Sequence, residues 1–156
     1  MPAVRLVSIT EAAYQRWLER LIPEYAADLV RAAHWTKEEA LERARQQTAE
    51  LLPDGRSTPG QYIWTITDST GGAAGILWVA VEASRPERAF IYDIEVDPSR
   101  RGRGLGTGAL AALEDWARAN AIKTIGLHVF GNNEGARRLY LRQGYVETSV
   151  QMEKRL

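Results

Sequence analysis

Apolar residues recur along this chain with two different periods, and the change falls near residue 60. Before it they return every three or four positions, as on a helix with one buried face; after it they alternate or cluster in short runs, as strands do. Tyr14, Trp17, Leu18, Leu21 and Ile22 predict a helix that starts at Thr10 and Glu11 and runs to about Ala33. A weakly alternating run, Val4 to Ile9, predicts a short strand ahead of it, and Pro23 is expected to split the helix in two. In "WTKEEALERARQQTAELL", Thr36 and Glu39 have the spacing of a capping box, while Ala40, Leu41, Ala44 and Leu51 form a buried stripe. "PDGRSTPG" ends this helical part.

"QYIWTIT" and "AAGILWVAVEA" flank "DSTGG" and predict an antiparallel hairpin, with "RAFIYDIEV" as a third strand. Alternation on that third strand sets Ile91, Asp93 and Glu95 on one face and Tyr92, Ile94 and Val96 on the other, so that two carboxylates line one face. A helix to about Asn120 follows, then the strand "TIGLHVF", a short helix in "NNEGARRLYLRQ" closed by Gly144, and a last strand in "YVETSVQMEKRL". This order predicts an α+β fold: a mixed, mostly antiparallel sheet with a parallel pair near its middle, flanked by helices.

Length and composition narrow the function. At 156 residues the chain fits one domain, 1–156, large enough to bury about two-thirds of its unfolded surface. Twenty basic residues balance 20 acidic ones, so no bulk field draws nucleic acid or an anionic membrane, and any anion site must be local. The absence of cysteine excludes disulfides, thiolate nucleophiles and cysteine-type zinc sites, and no metal site is expected. "MPAVRLVSIT" lacks the long apolar core of a signal peptide and no run approaches a membrane span, which makes a cytoplasmic location the expectation.

One segment concentrates chemistry. Arg100, Arg101 and Arg103 have no acidic neighbour, glycines stand at 102, 104, 106 and 108, and a helix begins directly after them. Glycines let successive amides turn inward, a helix N-terminus offers unpaired N–H groups, and arginine adds forked donors, so the segment reads as a phosphate cradle. A P-loop is excluded because it needs a lysine and this segment has none. Gly104, Gly106 and Ala109 fit the dinucleotide spacing G-x-G-x-x-A, but "DPSRR" intervenes after the strand and the next strand ends "LHVFG", with no acidic residue. That reading stands as a weaker alternative that predicts NAD binding.

Val96-Asp97-Pro98-Ser99-Arg100-Arg101-Gly102-Arg103-Gly104-Leu105-Gly106 resembles the pyrophosphate loop V-x-P-x-x-R-G-x-G-x-G of the GNAT N-acetyltransferases. Asn133, Ala136, Leu139, Tyr140, Gly144 and Tyr145 resemble that superfamily's second signature, with tyrosine where phenylalanine is commoner. The likeness is to small, uncharacterised bacterial members. It covers residues 60–156, implying an acetyl-CoA-binding core there, and leaves 1–59 as a helical acceptor-side region.

The resemblance implies a splayed parallel pair, with the strand at 89–96 and the strand at 123–130 opening a V that admits the pantetheine arm. The cofactor contacts it implies are the amides of Ile94, Glu95 and Val96, the cradle Arg101, Gly102, Arg103, Gly104, Leu105, Gly106, Thr107 and Gly108, and Asn133, Ala136 and Tyr140. It implies acetyl transfer from acetyl-CoA to a primary amine by direct attack in a ternary complex, with Tyr140 as the acid toward the departing thiolate. His128 is the first candidate base and Glu95 the second, with Asp93 beside it on the same strand. A coenzyme A-binding sensor that keeps the cradle without turnover is the alternative. The resemblance also allows a homodimer.

Overall fold

The computed structural model describes residues 3–156. Five strands form one sheet in the order β1-β2-β3-β4-β5: β1 (Arg5–Ser8), β2 (Gln61–Thr67), β3 (Ala73–Val81), β4 (Arg88–Val96) and β5 (Thr124–Leu127). The first four pair antiparallel and β4–β5 is parallel, the mixed α+β arrangement that the order of elements predicts, with the parallel pair at the edge of the sheet and not near its middle. Four helices cover it: α1 (Glu11–Ala33), α2 (Lys37–Leu51), α3 (Leu105–Ala119) and α4 (Glu134–Arg142).

The sheet faces carry separate cores. On one, Trp64, Ile66, Leu77, Val79, Ala89 and Ile91 pack against Ala109, Leu110 and Leu113 of α3, with Leu139 and Tyr140 of α4 at the margin. On the other, Ile63, Ile76 and Trp78 meet Tyr14 and Trp17 of α1. Trp17 is fully buried, its ring edge-on to Trp78 at 5.3 Å. Both N-terminal helices start where capping chemistry puts them: Thr10 Oγ1 accepts from the Ala13 amide, and Thr36 and Glu39 close a reciprocal capping box.

Four further expectations change. Pro23 does not split α1, which runs unbroken from Glu11 to Ala33. Pro23 and Glu19, whose carbonyl loses its helical partner, are both exposed, at a place on the helix open to solvent. Beyond Pro23 the helix still seats Ala26 against Ala40 and Ala44 of α2, and Trp17 burial, on the order of 4 kcal/mol, exceeds the ~3 kcal/mol cost of an interior proline. The strand expected over "TIGLHVF" ends at Leu127, and the strand expected over residues 145–156 does not form. That last segment has alternation but no ladder partner, so β5 is left as the edge of the sheet.

The fourth of these changes lies on β4. Trp78 pairs with Asp93 and Val79 with Ile91, so Tyr92 is a β-bulge. The extra residue reverses the alternation: Ile91 stays in the α3-side core while Tyr92 and Asp93 both reach the α1 side, Tyr92 stacking on Trp78 at 4.7 Å and Asp93 bonding Trp17. Asp93 and Glu95 therefore share a face, as alternation expects, but Ile91 is on the other.

Candidate active site

The bulge also ends the parallel ladder. β4 and β5 pair only from Arg88–Thr124 to Ile91–Leu127, and past that point β4 continues to Val96 with β3 alone. A gap opens between Asp93–Val96 and the stretch that follows β5. The Asp97 amide donates to the Ala74 carbonyl at 2.8 Å, and alternation in an antiparallel ladder then turns Glu95 toward β3 and the backbone groups of Ile94 and Val96 into the gap. Gly75 permits this close pairing, since a Cβ there would sit 2.0 Å from the Glu95 carbonyl oxygen.

The glycine segment lies at the mouth of the gap. A 3-10 turn, Pro98–Arg100, leads into it, and Gly102 and Gly104 take φ of 76° and 77°, where a side chain would be strained. The first backbone hydrogen bond of the helix runs from the Gly108 amide to the Gly104 carbonyl at 2.9 Å. Among the described residues, the amides from Arg101 to Thr107 have no protein acceptor, and no side chain caps α3. Buried or ligand-facing amides of this kind are matched to an anion.

The three arginines do different things. Arg100 is not free of acidic partners, as its sequence neighbours suggest: it pairs with Asp68 in the β2–β3 turn at 2.7 Å. Asp68 also accepts from Thr70 and the Gly72 amide, and this donor set holds its carboxyl down at about 2, Thr70 contributing most. Arg100 thus ties the hairpin to the cradle. Arg101 donates from Nε to the Val96 carbonyl at 3.1 Å, with its guanidinium otherwise exposed, and Arg103 makes no ion pair among the described residues. Gly106 faces Leu139 of α4, where a Cβ would stand 3.4 Å from that side chain.

Asp93 and Tyr140 are the strongly perturbed groups at the gap. Burial pushes the Asp93 carboxyl up to about 6 against the lowering effect of the Trp17 indole, which donates to Oδ2 at 3.0 Å; the charges of Glu95 and Glu24 add to the rise. Glu24 is itself raised, by burial and then by Glu95, so α1 and β4 bring three carboxylates together, with Arg20 and Arg101 as nearby cations. Among the described residues no cluster has the geometry to hold a metal ion. Tyr140 is pushed up to about 12 by burial and the Asp93 charge, and its ring lies edge-on to Tyr145 at 5.7 Å.

His128 stands just beyond β5, exposed, edge-on to Phe130 at 4.9 Å, and among the described residues no hydrogen bond fixes its ring. Asn133 caps α4, its Oδ1 accepting from the Ala136 amide at 3.3 Å.

A profile of the Acetyltransferase (GNAT) family matches residues 15–145. The chain belongs to the GNAT acetyltransferase family. It is 35% identical over 154 residues to the Bacillus subtilis protein YycN, named an uncharacterised N-acetyltransferase, covering 98% of this chain and 99% of that one. The solved structure of YycN superposes with a TM-score of 0.92 over 99% of both chains. A second B. subtilis protein named an uncharacterised N-acetyltransferase, YdgE, is 33% identical over 99% of both chains. Mycothiol acetyltransferase of Clavibacter michiganensis matches over 88 residues at 35% identity, covering 56% of this chain and 28% of that protein. In this GNAT chain the residues that sequence reasoning undervalued are Trp17, Glu24 and Asp93. A carboxylate within the apolar run "FIYDIEV" was the available signal for Asp93, and the mix of aromatic and acidic residues along the N-terminal helices was the signal for Trp17 and Glu24.

Proposed function

We propose that this GNAT chain transfers the acetyl group of acetyl-CoA to a primary amine by direct attack, both substrates being bound together. One observation carries the reading: an Asp93 carboxylate held near pH 6 and a protonated Tyr140 border the same gap, at whose mouth a run of amides lacks acceptors. Those amides, Gly102 to Thr107, fit the pyrophosphate, with Arg101 and Arg103 as charged donors, and the backbone of Ile94 and the Val96 amide fit the pantetheine amides. Acetyl-CoA supplies the thioester carbonyl.

The base is assigned to Asp93, with Glu95 and His128 lining the approach. An alkylammonium at about 10.4 passing its proton to a carboxylate at about 6 climbs ~4 units, or ~6 kcal/mol. An unperturbed aspartate, at about 3.9, would demand ~9 kcal/mol. Against a total barrier of ~16 kcal/mol for a turnover of ~10 per second, the first is affordable and the second leaves little for bond making. Tyr140 remains protonated at all working pH values. Full transfer to a thiolate near 8.5 is uphill by ~5 kcal/mol, so the phenol hydrogen-bonds the sulfur as its charge develops.

The carboxylates of Glu24, Asp93 and Glu95 beside Trp17 and Tyr92 favour a cationic amine as acceptor, bound from the α1–α2 side. Among the described residues no helix is long and apolar enough to cross a membrane, and a cytoplasmic location goes with this reading. The test is free-thiol release from acetyl-CoA against a panel of amines. Acceptor-dependent release supports transfer; tight coenzyme A binding without release for any amine overturns it in favour of a binding protein.

A further inference from the structure

The helices leave part of the α1-side face of the sheet uncovered. α1 packs on Ile63, Ile76 and Trp78 of β2 and β3. On β4, Ala89 and Ile91 belong to the α3-side core, so alternation turns Arg88 and Phe90 to the α1 side, where the bulge adds Tyr92. Tyr92 is exposed, and Phe90 stands edge-on to it at 5.0 Å. The register partner of Phe90 on β5 is Gly126, and the Arg88 guanidinium lies across that glycine, 2.9 Å from where a Cβ would be. Arg88, Phe90, Tyr92 and Asp93 thus form one strip that ends at the gap.

Charges around this strip balance except at one place. A groove of about 1290 Å³ runs from Arg88 and Gly126 past His128 to Tyr140, and five arginine and lysine side chains line it. Four of them have carboxylate partners: Arg31 pairs with Asp28, Arg118 with Glu114, Lys123 with Glu87 and Arg137 with Glu147. The groove's remaining carboxylate, Glu153, lies beside His34. Arg88 has neither an ion pair nor a side-chain hydrogen bond among the described residues, so a forked donor faces open space unopposed.

We propose that the acceptor is an amine with a carboxylate at its far end: the nitrogen sits at Asp93, the chain crosses Phe90 and Tyr92, and the carboxylate rests on the Arg88 guanidinium. This rests on the acyl-transfer reading of the same gap and names its acceptor class. Phe90 lies opposite Ala80 and Asp93 opposite Trp78, so the bulge leaves two residue spacings between them; with the step across to β5, the two charges stand about 8 Å apart. The two rings fill that interval, so the acceptor passes over them. An ω-amino acid with about five methylenes spans it when extended. An α-amino acid does not, and its carboxylate would stand among Glu24, Asp93 and Glu95, where like charges repel. A lone arginine matches the single charge and flat shape of a carboxylate. Transfer yields the N-acetylated acid and free coenzyme A, the amine's proton leaving through Asp93.

Thiol release from acetyl-CoA is compared for aminocaproate, hexylamine, glycine and an amidated tripeptide ending in glutamate. For the intact chain, kcat/KM with aminocaproate should exceed that with hexylamine at least about tenfold. The tripeptide carries the same two charges on a peptide; its rate, set against that of aminocaproate, tells whether the supported chemistry belongs to a peptide N-terminus or a free amino acid. Arg88→Gln should bring the ratio of aminocaproate to hexylamine close to one, and Arg88→Lys should keep part of it, with circular dichroism unchanged in both. Equal kcat/KM for the two amines, glycine as good as aminocaproate, or a preference that survives Arg88→Gln overturns the inference and leaves acyl transfer standing. If no amine releases thiol, the acyl-transfer reading falls and calorimetry decides the inference. Aminocaproate bound by the coenzyme A-loaded chain, and bound about tenfold more weakly after Arg88→Gln, supports it; absent or unaltered binding overturns it.

Discussion

Replacing Asp93 by asparagine separates what the carboxylate does for chemistry from what it costs the fold. Its rise from about 3.9 to about 6 is a penalty of ~3 kcal/mol on the ionised form, reduced to ~2 kcal/mol because the residue keeps some solvent contact. A carboxyl raised in the folded state binds more protons there than in the unfolded chain between pH ~4 and ~6. Stability therefore falls as pH rises through that window, and the penalty is fully present above it. Asparagine cannot ionise, and its amide oxygen still accepts from the Trp17 indole. For a chain of this length ~2 kcal/mol corresponds to a gain in Tm of ~4–8 °C at pH 8, vanishing at pH 4. Differential scanning calorimetry at the two pH values reads this. Initial rates should fall 10²- to 10⁴-fold, and the acid limb of kcat/KM near pH 6 should disappear. A variant that keeps that limb and is no more stable at pH 8 would refute the assignment of both the raised carboxyl and the base.

Tyr140→Phe should lower kcat by ~10² or more while coenzyme A affinity, read by calorimetry, stays within about twofold, since the phenol acts on the leaving sulfur and not on the phosphates. Gly104→Val, at φ 77°, should cost ~1–2 kcal/mol of backbone strain and weaken coenzyme A binding at least tenfold; unchanged affinity would remove the cradle from the site. Asp68, held at about 2, contributes stability that is present above pH ~4 and is lost as pH falls toward 2. Asp68→Ala should flatten that acid limb of the urea midpoint, and an unaltered limb would show that Arg100 gains nothing from the pairing.

What could be read from the chain beforehand was local. Glycine pairs and "DSTGG" mark the hairpin, Thr36 with Glu39 marks a helix start, and the amides of 102–107 are open because glycines and an uncapped helix follow one another in sequence. What escaped depends on partners far away. The Trp17 bond to Asp93 spans 76 positions and needs both the bulge and α1 in place. Arg100 looked free because Asp68 is brought to it only by the hairpin. Pro23 was misjudged for the opposite reason: its local cost is real, but packing on both sides of it decides the outcome. Residues 145–156 have the alternation of a strand, and alternation cannot say whether a ladder partner exists within the same chain.

The bulge at Tyr92 connects these points, because a single extra residue has three consequences that would otherwise need separate causes. It moves Asp93 from the α3-side core to the α1 side, where Trp17 can hold it and where desolvation raises it into the range useful for an amine. It ends the β4–β5 ladder at Ile91 and Leu127, so the backbone of Ile94 and the Val96 amide face open space, the Val96 carbonyl being taken by Arg101. It also limits the paired length of β5 to four residues. A sheet opened for a substrate on one side of β5 is thus left with an unpaired strand edge on the other.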